Sequence, residues 1–197
     1  MKWKRKNGRI LKMQQVDGVD EPFRKLFFNT RPARVLEIGT GSGAFAVMLR
    51  EVLDEVHALR KTQLTTVDIK PRRRFHEWER IEAHTFDCFT NEKKQNLRKK
   101  LRDQITGEGV TLVLCDGGDK LAEFQAVAKL LKPGDIVGVH DYAESLEDFK
   151  ERVKGKIWGF CGIHAGRMED TDHAHRLTDF MAEDFRPFVW GMRRRLS

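Results

Sequence analysis

The sequence predicts an α/β fold, a doubly wound and mostly parallel sheet with helices on both faces. Three observations lead there. Short β-branched segments ending in glycine or an acid alternate with amphipathic segments of helical period. Residues 110–115 are nearly all apolar, as a central strand covered on both faces must be. Polar residues gather just after the apolar segments, at the carboxyl ends of strands, where open parallel sheets bind ligands.

Taken in order, Arg34–Ile38 is short, β-branched and stopped by glycine, which reads as the first strand. Ala44, Met48, Val52 and Leu59 recur near helical spacing and make a helix. Residues 64–67 form a second strand and 83–86 a weak third. Residues 91–104 carry Leu97, and with Leu101 and Ile105 they describe an amphipathic helix with a narrow buried stripe. After the central strand 110–115, helix 120–131 stops at Lys132-Pro133-Gly134, and 136–139 forms a strand that ends at His140-Asp141.

The 197 residues, 40% of them hydrophobic, suit one domain spanning 1–197: a basic arm over 1–20, a core over 33–142 and a C-terminal part over 143–197. No apolar run approaches the roughly 20 residues of a membrane span, so no membrane partner is expected. No secretory leader pattern follows the basic N-terminus, and Cys88, Cys115 and Cys161 fit neither a disulfide framework nor zinc spacing. The expected location is cytoplasmic. The net charge of +7 is unevenly spread. Residues 1–12 contribute +6 and Arg193 to Arg195 contribute +3, which leaves −2 on the body. That is not the continuous cationic groove of a nucleic-acid binder, although Arg72 to Arg74, the 93–102 stretch and Trp3 in the arm keep nucleic acid as a second reading.

Between the first strand and helix stands Glu37-Ile38-Gly39-Thr40-Gly41-Ser42-Gly43, where glycines allow a tight turn and close approach of a ligand to the backbone. Gly39, Gly41 and Ala44 also satisfy a dinucleotide fingerprint. Two features lean away from it. Glu37 puts a carboxylate where a cationic ligand gains, and Asp68 follows Gly41 by 27 residues rather than the fingerprint's about 20.

Residues 35–43 resemble the first motif of class I S-adenosylmethionine-dependent methyltransferases. Three further segments fall in matching order: Thr66-Val67-Asp68, then residues 112–118 ending Asp116-Gly117-Gly118, then 131–142 through His140-Asp141-Tyr142. The resemblance spans roughly 33–142. It implies a Rossmann-like sheet of seven strands with an antiparallel last strand, and S-adenosyl-L-methionine as cofactor. It implies that Glu37, Gly39, Thr40, Gly41, Ser42, Gly43 and Asp116 surround the cofactor, that Asp68 accepts the ribose hydroxyls and that Asp87 approaches the adenine. For Asp68 a turn-capping role is the alternative.

Methyl transfer from a sulfonium is an in-line displacement, so the acceptor must be aligned and deprotonated. The chain lacks the (Asp/Asn)-Pro-Pro-aromatic motif of base amino-methyltransferases, having Asp116-Gly117-Gly118-Asp119 instead, and lacks a Pro-Cys nucleophile. What remains resembles the metal-dependent small-molecule O-methyltransferases and the cephalosporin-hydroxylase-like group, which implies a small hydroxylated acceptor. That resemblance carries a divalent ion, Mg²⁺ or Mn²⁺, onto Asp116 and Asp141, with His140 or Asp119 as further ligands. His140 is alternatively a general base, and Lys120 a second candidate base. Residues 144–153 read as a helix, 156–161 as a candidate sixth strand and 188–192 as the last strand, paired at the edge. Residues 169–176 are rich in metal-ligand types without a defensible spacing and read as a surface loop or substrate lid. Trp78, Trp158 and Phe160 read as core. Two alternatives to the O-methyltransferase remain: an RNA methyltransferase docking through the basic arm, and a cofactor-binding protein without catalysis.

Overall fold

The computed structural model describes residues 2–4, 8, 10–70 and 80–197. The elements run β1 (Lys2–Lys4), β2 (Ile10–Lys12), α1 (Asp20–Thr30), β3 (Arg34–Ile38), α2 (Ala44–Glu55), β4 (Gln63–Asp68), β5 (Ile81–Thr85), α3 (Lys99–Thr106), β6 (Thr111–Cys115), α4 (Lys120–Ala128) and β7 (Ile136–Val139). They continue as β8 (Tyr142–Ala143), α5 (Leu146–Asp148), β9 (Ile163–His164), α6 (Glu169–Ala174), β10 (Leu177–Asp179), α7 (Ala182–Phe185) and β11 (Gly191–Arg195).

Seven strands form one sheet in the order β10-β11-β7-β6-β3-β4-β5. The pairs from β7 to β5 are all parallel, and β11 runs antiparallel to both β7 and β10. The expected architecture is therefore present. Alternation along the strands sorts side chains to two cores. Leu36, Ile38, Val113 and Cys115 pack with Leu101 and Ile105 of α3 and Phe124 and Val127 of α4. Val35, Leu112 and Leu114 pack on the other face with Phe23 and Phe27 of α1, Met48 and Leu49 of α2, and Trp190. Every residue of β6 and β7 is buried, which is why these strands read as continuous apolar runs.

The chain winds outward from β3 through β4 to β5, then returns to β6 on the other side of β3. That reversal opens a crevice above the carboxyl ends of β3 and β6. The ladder continues just past those ends: Gly39 N–H donates to Val67 O at 2.8 Å, and Asp116 N–H to Ile38 O at 2.8 Å.

Several expectations are corrected. The helix expected over 91–104 is α3 over Lys99–Thr106; Leu97 is buried from a loop, bridged to Phe89. Helical spacing of Leu97 with Leu101 and Ile105 reflects a shared core, not a shared helix. Leu59 likewise belongs to a separate 3₁₀ turn after α2. The strand expected over 156–161 is a turn, and the sixth strand of the sheet in chain order is β10, at its edge. The last strand begins at Gly191 and lies one place in from the edge, because Arg186–Phe188 is a 3₁₀ turn and Val189 adopts a left-handed φ of 56°. Residues 144–153 are α5 followed by a π turn over Phe149–Val153. The loop expected over 169–176 contains α6, whose Asp172 accepts from Arg193 at 2.8 Å. In the arm, β1 and β2 pair antiparallel. Arg72 to Arg74 and Trp78 lie outside the described residues. Among the described residues the three cysteines are free thiols, and no helix is long and apolar enough to cross a membrane.

Candidate active site

A cavity of about 690 Å³ occupies the crevice above β3 and β6. Its wall includes Glu37, Gly39, Thr40, Gly41, Ser42, Asp68 and Asp116, together with Phe86, Cys88 and Glu123. The glycine loop is shaped by close approach. Gly39 has φ +98°, and a Cβ there would lie 2.3 Å from Asp116 O. The loop is then tied to the next strand: Gly41 N–H donates to Asp68 Oδ2 at 3.0 Å, and Lys70 N–H to Asp68 Oδ1 at 2.9 Å. Asp68 thus performs the turn-capping role while forming part of the cavity wall. Gly43, with φ +74°, caps α2 and does not line the cavity. The Ser42 hydroxyl donates to Lys12 O at 3.1 Å, which joins the loop to β2.

Glu37 is wholly buried at the end of β3. Thr66 donates its hydroxyl to Glu37 Oε2 and stands 2.6 Å from the Thr40 hydroxyl. Among the described residues Glu37 Oε1 has no hydrogen-bond partner, a costly state that a donor on a ligand would relieve. Burial pushes this carboxyl up to about 8; the Thr66 hydrogen bond opposes the rise, while the charges of Asp116 and Asp68 add to it.

Asp116 leads from the cavity to a second group of residues. Its Oδ1 lies 2.9 Å from His140 Nδ1, and its Oδ2 accepts from Gln15 Nε2 at 3.0 Å. His140 follows β7 and is 2% exposed. Its ring lies against Trp158 and Trp190, with centroids at 5.2 and 4.8 Å, and its Nε2 is buried without a partner among the described residues. Asp141 adopts a left-handed φ of 58°. Its Oδ1 accepts from Trp158 Nε1 at 2.6 Å, and its Oδ2 lies 2.7 Å from Lys120 Nζ. Lys120, the first residue of α4, also donates to Gly117 O at 2.8 Å. Burial alone would lower the lysine's pKa, but Asp141 and Asp116 outweigh it and hold Lys120 above its ordinary value as an ammonium.

The structure therefore brings His140, Asp141 and Lys120 together beside the cavity, with Asp116 common to both. Asp87 stands apart: it is exposed, its Oδ1 accepts from Phe89 N–H at 2.9 Å, and Phe86 and Cys88 form the wall on either side of it. Asp119 is likewise turned away, as the N-cap of α4 and the partner of Lys94.

Four participants escape sequence reasoning. Glu123 is 2% exposed and holds the 117–119 loop by accepting from Gly117 and Asp119 N–H; burial pushes it up to about 7. Its signal is an acid among the buried, otherwise apolar residues of α4. Trp158 and Trp190 carry no local mark beyond their size. Gln15, 2% exposed, accepts from Trp190 Nε1 at 2.9 Å while donating to Asp116. Gln15→Ala leaves that indole N–H unpaired in the interior, so it is expected to lower unfolding free energy in urea by about 1–3 kcal/mol.

The comparisons with known proteins bear on this geometry. A sequence family described as a methyltransferase domain matches residues 36–142. None of the curated proteins matches the chain. Among solved structures, an apo form of CmcI is similar, with a TM-score of 0.68 and 14% identity over 100% of this chain and 76% of that one. A CmcI structure with Mg and S-adenosylmethionine gives 0.62 and 15% over 100% and 77%. MycE, a methyltransferase from the mycinamycin biosynthetic pathway in complex with Mg, S-adenosylhomocysteine and mycinamycin VI, gives 0.52 and 16% over 90% and 48%. At these identities the likeness is one of fold.

Proposed function

The chain belongs to the methyltransferase domain family, and from that premise we propose that it is an S-adenosylmethionine-dependent methyltransferase acting on a hydroxyl oxygen of a small molecule. The observation that carries the reading is the double position of Asp116, which lines the cavity and also holds His140 Nδ1 at 2.9 Å. A proton acceptor thereby stands next to the space for a methyl donor. The cavity residues suit that donor. Among the described residues, Glu37 Oε1 lacks a partner that an ammonium would provide, and nothing lies within 4 Å of where a Cβ on Gly41 would stand. When bound, S-adenosylmethionine supplies a methyl group on a sulfonium and leaves as the neutral thioether.

The chain's own part is alignment and proton removal. With Nδ1–H donated to Asp116, the neutral imidazole keeps its lone pair on Nε2, the buried atom without a partner. That atom takes the acceptor's O–H proton as the C–O bond forms, and Asp116 stabilises the imidazolium that results. Lys120 serves as a fixed positive charge. His140→Gln is expected to bind S-adenosylmethionine within about threefold of wild type in calorimetry while lowering kcat about 10²–10⁴-fold. The assay is transfer of a radiolabelled methyl group to a panel of small phenols and alcohols. Binding of NAD in place of S-adenosylmethionine would overturn the reading.

Asp116, His140 and Asp141 are the group of metal-ligand types at this site. Each offers a ligand atom, and the three atoms lie within 4.8 Å of one another. The position is compromised, however, because Lys120 Nζ stands 2.7 Å from Asp141 Oδ2 and 3.9 Å from Asp116 Oδ1. Standing beside both acids, the ammonium occupies the place a positive ion would take and repels a divalent one. His140 Nδ1 is also committed to the carboxylates, at 2.9 and 3.3 Å. The residues do not fit a divalent ion in this arrangement.

A further inference from the structure

Asp116 and Asp141 leave the ends of the adjacent strands β6 and β7, and two carboxylates brought together in a partly dry site require a cation. The chain supplies one. The Lys120 side chain is 10% exposed and that of Asp141 is 3% exposed. Of the three ammonium protons, one goes to Asp141 Oδ2 at 2.7 Å and one to Gly117 O at 2.8 Å. Asp116 Oδ1, at 3.9 Å, is beyond hydrogen-bond range, so among the described residues the third proton is unspent.

The seat for this lysine is built by a distant segment. A Cβ on Gly162 would lie 2.9 Å from Lys120 Cδ and 3.1 Å from Asp141 Cβ, so glycine gives the lysine stem its room. The same residue donates its N–H to Asp141 O at 2.8 Å and steadies the left-handed backbone there.

We propose that the Lys120 ammonium fills the cation position between Asp116 and Asp141 in place of a divalent ion, and that its third N–H receives the acceptor oxygen. This rests on the methyltransferase reading and specifies how that site handles charge. A lysine is a compact point charge with mobile donors, suited to an oxygen that turns anionic as it loses its proton.

The test is ion uptake. MnCl₂ is titrated into the protein, with the free aquo ion followed by electron paramagnetic resonance. Wild type and Lys120→Arg are expected to take up no stoichiometric ion. Lys120→Ala is expected to take up one, at least about tenfold more tightly than wild type, once the repelling charge is gone. One equivalent bound by wild type and lost in Asp141→Asn would overturn the proposal. So would a Lys120→Ala protein with native near-ultraviolet dichroism that takes up none, because the acid pair would then offer no cation position. Should that variant not fold, the wild-type titration decides alone. Calorimetry with S-adenosylmethionine on the same samples separates the two readings: failure of cofactor binding counts against the methyltransferase reading and leaves the ion result standing.

Discussion

Gly39→Ala is expected to abolish cofactor binding and to cost more than about 3 kcal/mol of stability, the range reached by backbone clashes in a packed interior. Two faults combine at this position. The φ of +98° is one that residues with a Cβ rarely adopt, and the added methyl would stand 2.3 Å from Asp116 O and 2.6 Å from Gly117 N. Both obstacles are backbone, so no rotamer change relieves them. Relief requires separating β3 from the loop after β6, which dismantles the cavity wall and moves Asp116 from His140. Gly41→Ala is the control: φ is +53° with nothing within 4 Å, and the expected cost is about 1–2 kcal/mol. Urea midpoints and titration with S-adenosylmethionine measure both. A Gly39→Ala protein with the wild-type midpoint would show that the close approach does not hold.

Glu37→Gln is expected to weaken S-adenosylmethionine binding about 100-fold, or about 2.7 kcal/mol, while raising the melting temperature at alkaline pH. The buried carboxyl is pushed up to about 8 from an ordinary 4.5. The folded protein therefore binds a proton here that the unfolded chain has lost, throughout that window. This contribution to stability is full below about pH 4.5, declines as pH rises and is gone above about pH 8. Glu123, pushed up to about 7, acts in the same sense. Glutamine does not ionise, so the variant should melt above wild type at pH 8.5 and alongside it near pH 5.

The same proton governs binding. An ammonium ligand selects the carboxylate, so wild-type affinity should rise by up to about tenfold per pH unit from pH 6 to 7.5. In Glu37→Gln it should be flat. A variant that keeps the wild-type slope would place the titrating group elsewhere.

What the sequence made legible was local. Residues 37–43, Asp68, Asp116 and His140-Asp141 sit at strand ends, where a change from apolar to polar is visible within a few positions, and the structure gathers these elements at one rim of the sheet. α1 was not read from the sequence, although Phe23, Leu26 and Phe27 stand at helical spacing. Leu97 misleads because a periodic stripe records which side chains share a core and not whether their backbone is helical. Trp190 misleads in a similar way: it looks like a strand residue but packs from the turn before β11, against Phe23, Phe45 and His140. The partners of Asp116 were out of reach because no short-range pattern records a hydrogen bond between positions 15 and 116 or between 15 and 190.

That last pair has a consequence for biosynthesis. A nascent chain has released every recognisable motif by Tyr142, yet Gln15 lacks its anchor until Trp190 has cleared the ribosome. Completion of the pocket thus waits on a residue far downstream of those motifs, and a product truncated before Trp190 carries the methyltransferase signature with Gln15 unanchored and Asp116 without that support.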